Sequence, residues 1–418
     1  MRLITDWHIH SKYSRACSSA LELPKIAAMC ERKGIDVAAT GDWTHPKWVE
    51  HLKENLVESE PGIFTLKDGS SKTRFMLVTE ISQIYKKGDK TRRVHNLVFA
   101  PSLETVDRVN AELNRQEFNL KADGRPILGI DSEELYKLLK EIDERVIMVP
   151  AHAWTPWYSI FGSKSGFDSL EECFGEMTKY IHAIETGLSS NPKMNWQVSA
   201  LDKVVLISNS DAHSPDKLGR EANVFDLDVP SYDEFVRVLR EQDRSKFLST
   251  IEFFPEEGKY HYDGCAKCGF SCAPNESKKL GERCPKCKKL LTLGVEHRVE
   301  ALADRPADSV GANKIPYHSI VPLLEVIGDA LEVASSSKKV AAEYGRLTDR
   351  VGSEFYILLD APIEQIVKES TNPAVAEAIR RVRAGQVIAT PGYDGIFGTI
   401  KVFGEGDRPK KPAQSNLL

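Results

Sequence analysis

Up to about residue 252 the apolar positions fall into two alternating registers. Short runs rich in β-branched and aromatic residues occupy 3–9, 35–40, 75–81, 95–100, 146–150, 183–186 and 204–209, and turn-forming residues bound them, so they read as strands. Helical spacing fills the gaps. One helix begins with Pro24 in its first turn and ends at Gly34. Another opens at Ser132 and carries Leu135, Leu138, Leu139 and Ile142 along one face. About seven such βα units predict an α/β domain built as a barrel in preference to a doubly wound sheet. No glycine-rich phosphate loop follows any of these strands, which removes the dinucleotide-binding and P-loop classes.

Beyond residue 252 the pattern changes. Residues 253–295 are crowded with cysteine. From 296 to 403 helical spacing dominates, with helices expected over 319–333, 337–344 and 374–384 and a strand–turn–strand around Pro391-Gly392-Tyr393-Asp394-Gly395. Residues 404–418, polar and rich in Pro and Lys, are expected to form a flexible tail.

The 418 residues suffice for two or three domains, and the formal net charge of −5 exerts no overall pull on nucleic acid. A metal-centred site adds carboxylates of its own, so the local charge distribution is the better guide. No apolar run reaches the length of a membrane span, and the first eight residues go directly into a strand pattern. Three of the eight cysteines (Cys17, Cys30 and Cys173) are scattered, as reduced thiols are, so the expected location is cytoplasmic, with no membrane partner.

The candidate chemistry lies at the strand ends. His8 and His10 stand two apart at the end of the first strand, so their side chains share a side. Asp42 follows the second strand, Glu80 and His95 lie on the next two, His152 follows the fifth, and Asp211 and His213 follow the last. A lone histidine is most simply a hydrogen-bonded core or surface residue, and His51, His182, His261, His297 and His318 are read that way. Ligand types at six successive strand ends instead converge on one barrel mouth, where such folds keep their active sites. Imidazoles with carboxylates suit zinc, manganese, iron or magnesium, and this many ligands can hold two or three ions.

His8-Ile9-His10, Gly41-Asp42, Glu80, His95, Pro150-Ala151-His152 and Ser210-Asp211-Ala212-His213 resemble the ordered motifs of the polymerase and histidinol phosphatase (PHP) superfamily, over about 215 residues. The resemblance implies a distorted (βα)7 barrel that hydrolyses phosphate esters with metal ions. His8, His10, Glu80 and Asp211 would hold one ion and form the catalytic group, Glu80 would bridge to a second ion on His95 and His152, and His213 would serve a third together with Asp42 or His45. Two departures leave the count at two or three. Ser14-Arg15 stands where the first motif usually continues to Asp, and Trp43 stands where the second usually ends in His. Arg15 is then a candidate for a substrate phosphate, or for an ion pair.

Cys265-x2-Cys268 and Cys284-x2-Cys287 have the spacing of a four-cysteine zinc ribbon holding one structural zinc, with Cys272 left over. Lys267, Lys278, Lys279, Arg283, Lys286, Lys288 and Lys289 surround it, a basic surface suited to a phosphate backbone. Arg380, Arg381 and Arg383 end a helix, where cations also favour the dipole. Aromatic candidates for stacking on a nucleic-acid base are Tyr13, Trp154, Trp157 and Tyr393, with Lys286 and Lys288 on the backbone and Ser189, Ser190 and Asn191 as polar contacts. The end, Gln414-Ser415-Asn416-Leu417-Leu418, carries the first half of a sliding-clamp binding peptide.

Asn313-Lys314-Ile315-Pro316-Tyr317 and the Pro-Gly-Tyr-Asp-Gly turn resemble segments of DNA-repair helicase-like proteins. In domain order the whole chain is similar to the endonuclease Q family. That resemblance implies a PHP barrel at 1–252, a zinc module at 253–295, a mostly helical DNA-contact region at 296–403, and a tail at 404–418. It also implies a DNA-repair endonuclease acting on damaged DNA, 5′ of deaminated bases (uracil, hypoxanthine, xanthine) and of abasic sites. The alternatives are a small-metabolite PHP phosphatase and a non-catalytic DNA-binding protein with a decayed site.

Overall fold

The computed structural model describes residues 1–309 and 314–409. All seven expected strands form, as Arg2–Asp6, Val37–Ala39, Arg74–Lys87, Lys90–Ala100, Ile147–Pro150, Ala183–Glu185 and Val205–Ile207. They run around a ring. Arg2–Asp6 pairs in parallel with Val37–Ala39, which pairs in parallel with Arg74–Lys87. A tight turn at Gly88-Asp89 then reverses the chain, so Lys90–Ala100 is antiparallel both to Arg74–Lys87 and to Ile147–Pro150.

From there the ladder thins. The Ala153 amide donates to Glu185 O at 2.9 Å, Ala183–Glu185 pairs in parallel with Val205–Ile207, and the return to the first strand is the single bridge Ile9–Ala212. The architecture is an α/β ring of mixed strand direction, distorted and joined by short contacts where continuous ladders fail. Ala222–Asp226 and Phe247–Phe253 extend the sheet antiparallel beyond Arg2–Asp6. Inside the ring the fully buried Trp7 meets Phe99, Phe225 and Phe235 at 5.7, 5.2 and 5.3 Å between ring centroids.

The C-terminal region is mostly helical, as expected, with Leu323–Leu331, Lys338–Arg350 and Pro373–Arg383 as its longer helices. Its start differs from the sequence expectation. The helix expected over 319–333 begins only after Pro322, because Tyr317–Ile320 is drawn into parallel pairing with Phe247–Phe253. This strand stitches the helical region onto the barrel sheet, and Leu323, Val326, Ile327, Ala378 and Ile379 belong to the same apolar core as the barrel residues. A buried ion pair, Lys33 Nζ to Glu354 Oε2 at 3.1 Å, crosses the junction.

The cysteine insert is built differently. Its hairpin (Asp263–Cys265 with Phe270–Cys272) and short helix Pro274–Lys279 enclose a core of only Cys272, Cys284 and Leu291. Among the described residues no helix is long and apolar enough to cross a membrane.

Candidate metal centre

Most strands of the ring hand over a side chain just past their ends at one mouth, while Glu80 and His95 are presented there from within the long paired strands Arg74–Lys87 and Lys90–Ala100. At three of these handovers the backbone is left-handed without being glycine: Asp42 at φ 42°, His152 at φ 30° and Asp211 at φ 47°. Such conformations persist only where the surroundings enforce them, and they aim these side chains into the mouth. Gly187 belongs to the same arrangement, since a Cβ there would lie 2.7 Å from the His152 Cβ.

The structure brings the expected residues into two clusters that share Glu80. In the first, His8, His10 and Asp211 present ligand atoms within 4.8 Å of one another; in the second, Glu80, His95 and His152 do so. Glu80 Oε2 stands 3.5 Å from His8 Nε2 and 3.4 Å from His10 Nε2, while its Oε1 stands 2.5 Å from His95 Nδ1 and 3.1 Å from His152 Nε2. One carboxylate thus faces both groups, as a bridging ligand does. His8 Nε2 is buried with no hydrogen-bond partner although it faces two carboxylates. A buried, unpartnered imidazole nitrogen beside carboxylates fits divalent metal ions better than it fits a structural role.

Electrostatics agree with that fit. Burial opposes the charged form of His8, but Glu185, Glu80 and Asp211 outweigh it and raise its pKa well above the ordinary value. Burial likewise opposes charge on His10, yet hydrogen bonds to Asp211 and Asp42 carry it to about 9. Burial works against ionised Glu80, and His95, Arg125 and His8 overcome it and hold the carboxyl well below its usual range. Anions concentrated at a buried mouth require compensating cations.

Asp42 and His213, expected among the ligands, fall outside both clusters. Asp42 is spent behind His10: its Oδ1 lies 3.2 Å from His10 Nδ1, and its Oδ2 accepts from Ser11 N at 2.7 Å, Ser11 Oγ at 2.6 Å and Ser14 Oγ at 2.9 Å. The departures noted in the sequence explain this. Ser14 hydrogen-bonds Asp42 where the superfamily motif has Asp close by, and Trp43 is buried in the core. His213 lies half-buried, its ring 4.7 Å from that of His10.

Two residues at the centre escaped the sequence reading. Glu185 is fully buried, 3.0 Å from His8 Nδ1, and accepts from the His152 amide at 2.6 Å and from Asn209 Nδ2 at 2.9 Å. It therefore orients one ligand of each cluster. Its one sequence signal is an acid at the end of a short apolar strand. Arg125 Nη1 donates to Glu80 Oε2 at 2.9 Å, and nothing in its Gly124-Arg125-Pro126 context announces that.

The other candidates separate by exposure. Trp154 is corrected: at 1% exposure, with Nε1 donating to Asn195 Oδ1 at 2.7 Å, it is a core residue and has no face for a base. Asn191 Oδ1 caps the short helix Pro192–Asn195 by accepting from Met194 N, and the Ser190 hydroxyl donates to Thr186 O, so this oxygen and this hydroxyl are used within the chain. Tyr13 stacks on His45 at 4.3 Å. Arg15 makes a loose ion pair, its Nε 4.0 Å from Asp123 Oδ2, with its side chain 85% exposed. Trp157 lines a cavity of about 890 Å³ that opens over the clusters and is walled also by Lys217, Arg220, Lys259 and Tyr260.

In the insert, the Cys265, Cys268, Cys284 and Cys287 thiols converge, with Cys265 and Cys287 Sγ 3.9 Å apart and Cys272 outside the group. A tetrahedral ion with ~2.3 Å bonds to sulfur separates its ligands by ~3.8 Å. The spacing fits. Lys286 Nζ donates to Cys268 O and Lys278 pairs with Glu300, while Lys288 and Lys289 stand exposed. Of the arginine trio, Arg380 and Arg381 pair with Glu377 and Arg383 donates to Ile357 O and Leu358 O, so this trio is occupied within the chain. Tyr393 packs over Gly264, where a Cβ would meet its ring at 2.3 Å, and so joins the C-terminal hairpin to the insert.

This ring with a Glu80-bridged pair of His/carboxylate clusters defines a PHP-type metal-dependent phosphoesterase. A PHP-associated family model matches residues 205–243, and the MJ0043 C-terminal domain model matches residues 322–386. A lesion-specific endonuclease of Pyrococcus furiosus is 31% identical, with a TM-score of 0.84 over 96% of this chain and 95% of that one. An endonuclease Q in complex with a 27-mer duplex carrying an abasic lesion is 31% identical, with a TM-score of 0.87 over 98% and 99%. The chain belongs to the endonuclease Q family, and is a PHP-superfamily DNA-repair endonuclease dependent on divalent metal. An uncharacterised protein of Bacillus subtilis is 28% identical over 96% of this chain and 99% of its own length. One of Methanocaldococcus jannaschii is 31% identical over 66% of this chain, which spans only 35% of that protein.

Proposed function

We propose that this enzyme nicks duplex DNA immediately 5′ of a deaminated base (uracil, hypoxanthine or xanthine) or an abasic site and leaves the altered base attached. The observation that carries the reading is the pair of Glu80-bridged clusters at the floor of a cavity of about 890 Å³ with cationic walls. A cavity of that size accommodates one extruded nucleotide. Full-length likeness to an endonuclease Q complexed with an abasic duplex supports the same substrate class.

In this reading His8, His10, Glu80 and Asp211 hold one divalent ion, and Glu80, His95 and His152 hold a second. The knot of hydrogen bonds around Asp42 favours two ions over three. When bound, the ions supply Lewis acidity at the phosphodiester and a nucleophilic water at neutral pH. Glu185 fixes His8 and His152, Asp42 fixes His10, and Arg125 holds the bridging carboxylate in its ionised form. Lys259 meets the backbone flanking the lesion, joined by Lys217 and the exposed Arg15, which are only loosely paired with Glu325 and Asp123. Arg220 is buried and donates to Ser210 O behind that wall. The four thiols hold one structural zinc, and Lys288 and Lys289 grip the duplex. Residues 1–252 act as the catalytic barrel, 253–295 as the zinc module and 296–403 as further DNA surface. The half-motif for a sliding clamp lies at 414–418, outside the described residues; a clamp contact there is tested by pull-down of the clamp with and without residues 410–418.

Labelled duplexes with a single inosine, uracil or abasic site, incubated with and without divalent metal, test the function. The expected product is a metal-dependent nick 5′ of the lesion. Equal cutting of undamaged duplex, or release of free base before strand breakage, would defeat the reading.

A further inference from the structure

The turn between the strands Ile388–Thr390 and Thr399–Lys401 presents two large apolar side chains to solvent, Ile396 at 41% and Phe397 at 52% exposure. Phe397 lies on the rim of the cavity that also holds His152 and Asp211. The Lys259 ammonium sits 4.6 Å from the centre of its ring, and Lys259 has no ion pair among the described residues. On the neighbouring wall Tyr260 meets Trp157 edge-on at 5.8 Å.

The turn is held stiffly. Gly392 N donates to Glu256 O at 2.7 Å, Gly398 N to Glu257 O at 2.9 Å and Gly395 N to Lys259 O at 3.0 Å. Asp394 Oδ2 accepts from the Ala266 amide at 2.7 Å. A Cβ on Gly398 would lie 2.1 Å from Glu256 O, so the hairpin is seated without slack. The contact of Phe397 with Lys259 is worth little at an exposed site, so half of a large apolar ring is left facing solvent on a stiff mount. An aromatic ring beside an unpaired ammonium, at the mouth of a phosphodiesterase site, matches one kind of surface: a base with its adjoining phosphate.

We infer that Phe397, backed by Ile396, is the wedge that enters the base stack of duplex DNA and holds the gap left by the extruded nucleotide, while Lys259 meets the phosphate alongside. The inference rests on the proposed lesion-directed cleavage. A wedge contributes most where stacking must be broken. An apolar side chain inserted between base steps offsets the unstacking of a paired lesion, and it has little to offset at an abasic site or in a single strand.

The test compares wild type, Phe397→Ala and Phe397→Trp on four substrates: duplex inosine, duplex uracil, duplex abasic site and single-stranded uracil. Phe397→Ala is expected to lose about tenfold in kcat/KM on the two base-bearing duplexes, from the usual worth of one stacking contact, and much less on the other two. Phe397→Trp should restore the loss. A second readout needs no turnover: with 2-aminopurine beside the lesion, in an Asp211→Ala background, duplex binding should raise emission when Phe397 is present and not when it is Ala. Equal losses on all four substrates, or emission independent of Phe397, would overturn the wedge. Wild-type protein that cuts no lesion-bearing DNA would instead remove the proposed function, and the wedge with it.

Discussion

The barrel mouth and the cysteine insert both gather metal-ligating side chains, but they stand in opposite relations to the fold. At the mouth, ligands project from a ring already held by a large apolar core that runs on into the C-terminal helices. In the insert the ligands make up much of a very small core: Cys284 is buried with Cys272 and Leu291, and the half-buried Cys265, Cys268 and Cys287 pack against them. A module of that size cannot repay its ordering entropy by burial alone. The contrast predicts that a mouth stripped of metal keeps its shape, whereas an insert without an ion on its four thiols loses its own.

The largest effects should fall on either side of that contrast. His8→Ala or Asp211→Ala should cut cleavage by ~10³-fold or more, because each removes a ligand from the Glu80-bridged pair, while the thermal transition and the zinc content of the insert stay put. Cys265→Ser together with Cys287→Ser should do the converse: one equivalent of zinc lost, amide exchange across 263–291 rising to that of an open chain, and DNA binding weakened. Unfolding of Asp211→Ala, or zinc retained by the double variant after chelation, breaks the comparison.

The same contrast explains what the sequence disclosed. His8, His10, Asp211 and the two CxxC pairs are legible because their chemistry is tied to a local spacing, two apart on a strand or two between thiols. The order of seven strands is legible for a similar reason, since each strand is a local run. Glu185 is not, because its role comes from passing beneath His8, 177 positions away in the chain. Trp154 was misjudged on the same ground: a loop tryptophan shows its burial only when Asn195 arrives to take its indole proton. Tyr317–Ile320 became a strand because Phe247–Phe253 offered it an edge, and no window of the sequence contains both.

A smaller effect sharpens the claim that barrel and helices share one core. Lys33 and Glu354 are both buried and pair across the junction, and Glu354 also accepts from the Leu323 amide at 3.0 Å and from Tyr344 Oη at 2.8 Å. Lys33→Ala strands that carboxylate and should cost ~3–5 kcal/mol, read as a shift of a single denaturant transition with the zinc of the insert unaffected. Two separated transitions would show that the helices fold apart from the barrel. Smaller again, Glu185→Gln keeps the shape but loses the charge behind His8 and His152, and should weaken metal uptake at the mouth by ~10–100-fold without altering Tm by more than a few degrees. Metal titration of the stripped variant decides it, and unchanged affinity would reduce Glu185 to packing.

The smallest effect concerns the floor beneath the mouth, which carries buried acids of its own. Burial pushes Glu252 up to about 7, even though Ser208, Thr250 and Thr186 all hydrogen-bond to it; burial, with Glu252 and Glu185 nearby, raises Glu221 as well. A carboxyl whose folded pKa lies above its unfolded value holds its proton longer in the native state. Its contribution to stability is complete below the unfolded pKa, near 4.5, and is lost as pH rises through about 7. Glu257, at the start of the insert, is pushed up as well, to about 9, by burial and by Glu325, so the barrel's share is isolated only by comparing wild type with a Glu252 variant. Glu252→Gln keeps donors and acceptors for the three hydroxyls but cannot titrate. Between pH 5 and 7.5 the wild-type Tm should therefore fall by a few degrees relative to the variant. The difference between the two proteins is the relevant quantity, since the paired carboxylates elsewhere titrate alike in both. Parallel curves across that window would mean that Glu252 stays ionised in the native barrel, and that its three hydroxyl partners, not a retained proton, offset its burial.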